Sequence, residues 1–198
     1  MSSTKLFVSA DQLRIDSFRL GAKIIESNFA PDFLVALWRG GTPVGCYVHE
    51  LLKYCGQAPD HIAVRTSRYT GVDEASTKVV VHNLSYLVEH MDKNSKCLVI
   101  DDVLDTGLSF KAFTDTLREQ MGDTMPTDLR VATVFYKPSR NKTNRIPDYY
   151  MYETDRWIVF PHELEGNTLE EIREGMGKDV EEALRVVWTT NTTLGKND

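Results

Sequence analysis

Apolar positions in this chain follow two rhythms. The first is the short continuous run: residues 33–38 (Phe-Leu-Val-Ala-Leu-Trp), 96–100 and 129–136 are apolar at nearly every position and are bounded by polar or turn-forming residues. Such runs fit strands buried on both faces of a parallel sheet. The second is a spacing of three to four residues. Leu13, Ile15, Phe18, Leu20, Ile24 and Ile25 predict an amphipathic helix ending near Asn28, opened by Ser9 with Gln12 three residues on as a capping box. Thr42 and Pro43 read as the cap and first residue of a second helix running to about Tyr54. Residues 61–66 and 79–82 predict strands on either side of a long polar loop, 67–78. A helix follows from about Ser109 to Met121, stopped by Gly122. A short strand over 157–160 and a C-terminal helix capped by Thr168 and Glu171, running toward Trp188, complete the pattern.

Strands alternating with helices predict an α/β fold, a mostly parallel twisted sheet flanked by helices. With 198 residues and no repeat, low-complexity tract or linker, the chain is expected to form a single domain over 1–198. In such sheets ligands bind beyond the carboxyl ends of the strands. The unusual residues gather at those ends: Arg39, Gly40 and Gly41 after one strand, 101–109 after another, Lys137 and Pro138 after a third.

Charge narrows the partners. Lys plus Arg number 23 against 29 Asp plus Glu, a net charge of -6, which argues against nucleic acid, since that affinity rests on clustered cations. Cys46, Cys55 and Cys97 are odd in number and form no CxxC pair. Neither a disulfide framework nor a zinc site is expected, and a reducing cytoplasm fits. The apolar residues 6–8 give way at once to polar ones, and no run approaches the ~18 residues of a membrane span. Neither export nor a membrane partner is expected.

The informative segment is 97–109, Cys-Leu-Val-Ile-Asp-Asp-Val-Leu-Asp-Thr-Gly-Leu-Ser. A strand delivers Asp101 and Asp102 to its open end, and a tight turn rich in hydroxyls and glycine leads into a helix N-terminus. Backbone N–H groups and the positive helix end there hold a phosphate, with Thr106 and Ser109 adding hydroxyl donors. Carboxylates beside an anion site repel it unless they face a ribose diol or a magnesium ion, so the segment reads as a site for a sugar phosphate. Other phosphate motifs fail. Residues 40–45 have P-loop glycine spacing but continue into Cys46 and Tyr47 rather than Lys and Ser or Thr, and no GxGxxG follows a strand. The aspartates are also mis-spaced for the DxDxT of aspartyl-phosphate enzymes.

Residues 99–109 resemble the signature of the type I phosphoribosyltransferases, which bind 5-phospho-α-ribosyl diphosphate. Trp38-Arg39-Gly40-Gly41 is similar to that family's diphosphate-binding loop, Phe135-Tyr136-Lys137-Pro138 to its purine-reading lysine segment, and Asp155-Arg156-Trp157-Ile158 to the base-stacking segment of the xanthine-guanine and hypoxanthine branch. The resemblance covers about residues 33–164. It implies the family's fold, with about 138–198 contributing a base-binding hood and C-terminal helix, and a 6-oxopurine salvage reaction.

The resemblance also implies residue roles. Asp101 and Asp102 accept from the ribose hydroxyls, and Asp105 takes or shares the base N7 proton as N9 attacks C1. Leu104, Asp105, Thr106, Gly107, Leu108 and Ser109 cradle the donor's 5′-phosphate, and Val103 belongs to the same donor-binding segment. Arg39, Gly40 and Gly41 hold the diphosphate across a cis Trp38-Arg39 bond, and magnesium, held by Asp101, Asp102 and Glu163, neutralises leaving charge. Glu163 stands where relatives have aspartate. Lys137 donates to the purine O6, Trp157 stacks on the ring, and the backbone at Ile158 reads the 2-position. The loop 67–78, through Ser67 and Tyr69, closes over the reaction. Homodimers or homotetramers are implied.

Taken singly, an Asp-Asp pair at a strand end, an Arg-Gly-Gly turn and a Lys-Pro loop are ordinary surface features; their order at successive strand ends joins them. The five histidines show no ligand spacing, the basic stretch 140–145 reads as a solvated loop, and the acidic stretch 163–182 as a polar helix face. Two alternatives stay open: a regulatory protein of the same fold that senses a nucleotide, and a phosphoribosyltransferase for another base.

Overall fold

The computed structural model describes residues 5–69 and 78–193. In chain order the elements are β1 (Leu6–Phe7), α1 (Ala10–Glu26), β2 (Phe33–Trp38), α2 (Gly41–Tyr54), β3 (Asp60–Tyr69), β4 (Lys78–His82), α3 (Ser85–His90), β5 (Lys96–Leu104), α4 (Leu108–Met121), β6 (Asp128–Tyr136), β7 (Tyr149–Glu153), β8 (Ile158–Val159), α5 (Leu169–Met176) and α6 (Lys178–Thr193). The chain divides into two compact units, one of Arg14–Asp155 and one of Met1–Leu13 with Arg156–Asp198.

The larger unit is built on a six-stranded sheet of order β4-β3-β2-β5-β6-β7. All neighbours run parallel except β3 and β4, which are antiparallel. The expected α/β architecture with a mostly parallel sheet is therefore present. Strand alternation splits the central apolar runs between two faces. Val35, Leu37, Cys97, Val99 and Val131 join Leu87 of α3 and Phe110, Phe113, Leu117 and Met121 of α4 in one buried cluster. On α2, Gly45 lies so close to the other face that a Cβ would sit 3.0 Å from the Ala36 Cβ. Fully burying each of these large side chains contributes about 1.5–3 kcal/mol.

Several boundaries differ from the sequence expectation, each for a physical reason. β5 runs through Asp101 and Asp102 to Leu104, because β6 lies alongside as far as Tyr136 and keeps the ladder paired, Leu104 opposite Tyr136. α2 begins at Gly41 rather than after a Thr42 cap, since the Thr42 hydroxyl donates back to the Arg39 carbonyl at 2.6 Å. β3 continues through Ser67 to Tyr69 instead of ending at Thr66, held by its antiparallel pairing with β4. β7 left no apolar run because it is an edge strand with only Tyr149 buried. α3, at six residues, is too short to show a helical period.

The smaller unit pairs β1 with β8, Leu6 opposite Ile158 and Phe7 opposite Val159. Lys5 binds the Glu171 carboxylate at 2.8 Å, and its ammonium also donates to the Gly166 carbonyl at 3.1 Å. Thr168 and Glu171 form the expected reciprocal capping box on α5. The single helix expected toward Trp188 is broken at Gly177, whose φ of 106° no helix accommodates. No helix among the described residues is long and apolar enough to cross a membrane.

Candidate functional site

Three neighbouring parallel strands, β2, β5 and β6, end side by side, and each end carries one of the motifs singled out in sequence. Beyond β2, the Trp38-Arg39 peptide bond is cis, as expected. Arg39 is exposed, and Gly41 is buried against the neighbouring strand. A Cβ on Gly41 would lie 2.2 Å from the Ile100 carbonyl oxygen, and one on Gly40 would lie 2.3 Å from an oxygen of the Asp102 carboxylate. Glycine is thus required for the loop to lie flat on the end of β5. The first turn of α2 has no acidic residue of its own, and the Asp102 carboxylate lies beside its N-cap, Gly40.

At the end of β5 burial alternates: Asp101 and Val103 are half-buried, Asp102 and Leu104 buried. Successive strand side chains point to opposite faces. The two carboxylates therefore do not emerge together at an open strand end: Asp102 lies against Gly40, beneath the Arg39–Gly41 turn, and Asp101 keeps the more accessible position. The Asp102 N–H donates to Asp101 Oδ1 at 3.0 Å. The chain then turns through Asp105 and Thr106 to Gly107, which caps α4 in the left-handed conformation (φ 74°). A Cβ there would also meet Thr143 Oγ1 at 2.3 Å. The first turn of α4 likewise carries no acidic residue, and Ser109 lies in it. Its amide ends and the hydroxyls of Thr106 and Ser109 form an anion-receiving turn.

At the end of β6, Lys137 is buried, 4% exposed, and its ammonium lies 3.5 Å from Asp105 Oδ2. The link is local in space though the two residues are 32 apart in sequence. It follows from β5–β6 pairing continued past the strands, where the Lys137 N–H donates to the Leu104 carbonyl at 3.0 Å. Asp105 has a second cation: Arg140 Nε lies 2.7 Å from Oδ1, an ion pair without hydrogen-bond alignment. Sequence reasoning placed Arg140 in a solvated loop and missed this. Arg140 ends the single 3₁₀ turn Pro138–Arg140 that follows Lys137, and no local pattern in the sequence marks that turn or its partner.

The remaining expected residues belong to other elements. Ser67 on β3 shares a 3.1 Å hydrogen bond with His82 Nε2 across the hairpin. The Tyr69 side chain and loop residues 70–77 lie outside the described residues. In the smaller unit Trp157 leaves 54% of its surface exposed, while Ile158 is buried in β8. The Glu163 carboxylate turns back toward the Phe160 N–H at 3.5 Å, and its own N–H donates to the Phe160 carbonyl. Among the described residues no group of three or more His, Cys, Asp or Glu side chains is arranged to hold a metal. Magnesium keeps several waters and takes one or two carboxylates plus phosphate oxygens. Half-buried Asp101 fits that donor set.

Comparison with known proteins bears on the same segments. A family model described as a phosphoribosyl transferase domain matches residues 9–169. A hypoxanthine-guanine phosphoribosyltransferase of Streptococcus pneumoniae is 24% identical over 162 residues, covering 81% of this chain and 84% of that protein. Among solved structures, a purine phosphoribosyltransferase from Pyrococcus horikoshii is 25% identical with a TM-score of 0.63, over 83% of this chain and 97% of its own. A xanthine-guanine-hypoxanthine phosphoribosyltransferase from Helicobacter pylori shares the fold at 20% identity and a TM-score of 0.62, over 86% and 99% of the two chains.

Proposed function

The chain belongs to the phosphoribosyl transferase family, and from that premise we propose that it transfers the 5-phosphoribosyl group of 5-phospho-α-ribosyl diphosphate to N9 of a 6-oxopurine. Hypoxanthine, guanine or xanthine would give the nucleoside monophosphate and diphosphate. The observation that carries this reading is the buried Lys137 ammonium beside Asp105, at the mouth of a turn suited to phosphate. A buried ammonium next to a carboxylate supplies one donor and one acceptor side by side. That pair matches O6 and N7–H of a 6-oxopurine and meets a 6-amino group with a second donor.

In this reading the bond from C1 to the diphosphate oxygen breaks as N9 forms its bond to C1, and Asp105 takes the N7 proton. Thr106, Gly107, Leu108 and Ser109 receive the 5′-phosphate on backbone amides and hydroxyls. Arg39 and the amides of Gly40 and Gly41 hold the diphosphate. Asp101 accepts from the ribose hydroxyls, and Asp102, expected beside it in that role, braces the turn at Gly40. Magnesium, when bound, neutralises the leaving diphosphate, and Asp101 is the residue that would hold it, directly or through water. Glu163 is not assigned to the metal, since its carboxylate folds back on its own turn. From the family resemblance alone, Trp157 is assigned to stack on the base and the Ile158 backbone to read the 2-position.

The test is diphosphate release from the phosphoribosyl donor and magnesium with hypoxanthine, guanine, xanthine, adenine, uracil or orotate supplied in turn. Turnover with 6-oxopurines alone is expected, and Asp105→Asn should lower it by roughly 10²-fold or more. Turnover with none of the six would reject the reading.

A further inference from the structure

Arg140 reaches the carboxylate at the centre of the site although its side chain is about half exposed. Its Nε lies on Oδ1 of Asp105, while Lys137 approaches Oδ2 of the same group. The backbone around Arg140 is laced to the loop that carries Asp105. On one side the Lys137 N–H donates to the Leu104 carbonyl, and on the other the Lys142 N–H donates to the Thr106 carbonyl, both at 3.0 Å. Between them the Arg140 N–H donates to the Lys137 carbonyl at 3.3 Å. The turn is secured further along: the Asn141 side chain donates to the Arg145 carbonyl at 2.9 Å and accepts from the Thr143 N–H at 2.9 Å, and Thr143 packs on Gly107. The Ser139 hydroxyl binds Asp155. Arg140 is therefore delivered to Asp105 by the backbone.

The consequence rests on the reading above. The Lys137 ammonium carries three N–H donors, so it can serve O6 of a base while it stays beside Asp105 Oδ2. Held by that flexible ammonium alone, the carboxylate would turn with it as the base arrives, whereas the second contact at Oδ1 fixes its other oxygen. A guanidinium stays charged at every working pH and is pre-organised for a carboxylate. We infer that Arg140 is a positioning residue for the transfer reaction: it holds Asp105 by Oδ1, so that Oδ2 is directed at the base N7 while Lys137 donates to O6.

The test uses two bases that differ only at the atom Asp105 contacts. Hypoxanthine carries nitrogen at position 7, and 7-deazahypoxanthine carries carbon there and cannot bond to the carboxylate. With the full-length protein, Arg140→Ala should raise the KM for hypoxanthine by about tenfold or more, the range for groups that orient a primary residue. The Ki of 7-deazahypoxanthine and the KM of the phosphoribosyl donor should stay within about twofold. Arg140→Lys should recover part of the loss, and Arg140→Ala placed on Asp105→Asn should add none. Equal losses for both bases would assign Arg140 to loop structure and overturn the inference, as would an unchanged KM in Arg140→Ala. Arg140→Gln, which keeps much of the side-chain volume, gives the same comparison if the alanine variant folds poorly. A wild type inactive with every purine would reject the reading of the site itself, before any Arg140 variant is made.

Discussion

Gly41→Ala offers a stringent check on how the loop after β2 seats against β5. The added methyl would stand 2.2 Å from the Ile100 carbonyl oxygen and 3.1 Å from the Asp101 Cα, roughly 1 Å short of ordinary contact with the oxygen. Both obstacles are backbone of a central strand paired on each side, so the loop must move instead. Overpacking of this kind costs about 1–3 kcal/mol, and an alanine at the first helical position returns at most about 1 kcal/mol of propensity. A net loss near 2 kcal/mol lowers the melting temperature by about 4–8 °C for a chain of this size. In the proposed function these amides receive the diphosphate, so displacing them by about 1 Å should raise the donor KM by up to about 10²-fold. Gly40→Ala is the comparison, because its methyl meets the Asp102 carboxylate, a side chain rather than strand backbone. It should shift the melting temperature by less than Gly41→Ala and still raise the donor KM. Differential scanning calorimetry and donor titration at saturating base measure both. A Gly41→Ala protein that melts with the wild type and keeps its donor KM would refute the packing argument.

Three further outcomes follow from the structure. Burial pushes the Cys97 thiol up to about 12, so it stays protonated at neutral pH while Cys46 and Cys55 are exposed; a thiol reagent should titrate two sulfhydryls in the native protein and three in denaturant. Asp60 is held below the usual carboxylate range by the hydroxyl of Tyr86, burial acting weakly against it. Stability from that contact is present above the ordinary Asp value and is lost as pH falls through the lowered one, so Tyr86→Phe should flatten the acid limb of melting temperature against pH. Thr168→Ala removes the side-chain acceptor of the α5 capping box and should cost about 1 kcal/mol, read as faster amide exchange at Glu171 than in the wild type.

How far the site could be read in advance depended on the kind of information each residue carries. The turn 105–109 is local: Gly107 needs a positive φ, the hydroxyls lie within four residues of it, and α4 begins at once. Arg140 carried no such local mark. Its destination is set by hydrogen bonds from residues 137 and 142 to residues 104 and 106, and those exist only because β5 and β6 are neighbours. The orientation of Asp101 and Asp102 was hidden for the same reason. Whether a polar residue after an apolar run ends the strand or continues it is decided by the strand beside it.

The sequence alone determined the α/β character, the central strands and the glycine turn into α4 within 101–109, with β2 matching its apolar run residue for residue. Burial on both faces of a sheet and the demands of a tight turn are written in adjacent residues, so no knowledge of the rest of the chain is needed to see them. Tertiary structure decided which strands lie side by side, which of two adjacent aspartates stays accessible, and that Asp105 stands between Lys137 and Arg140. Those are contacts between segments distant in the chain, and their energy comes from pairing and packing partners that no local pattern names.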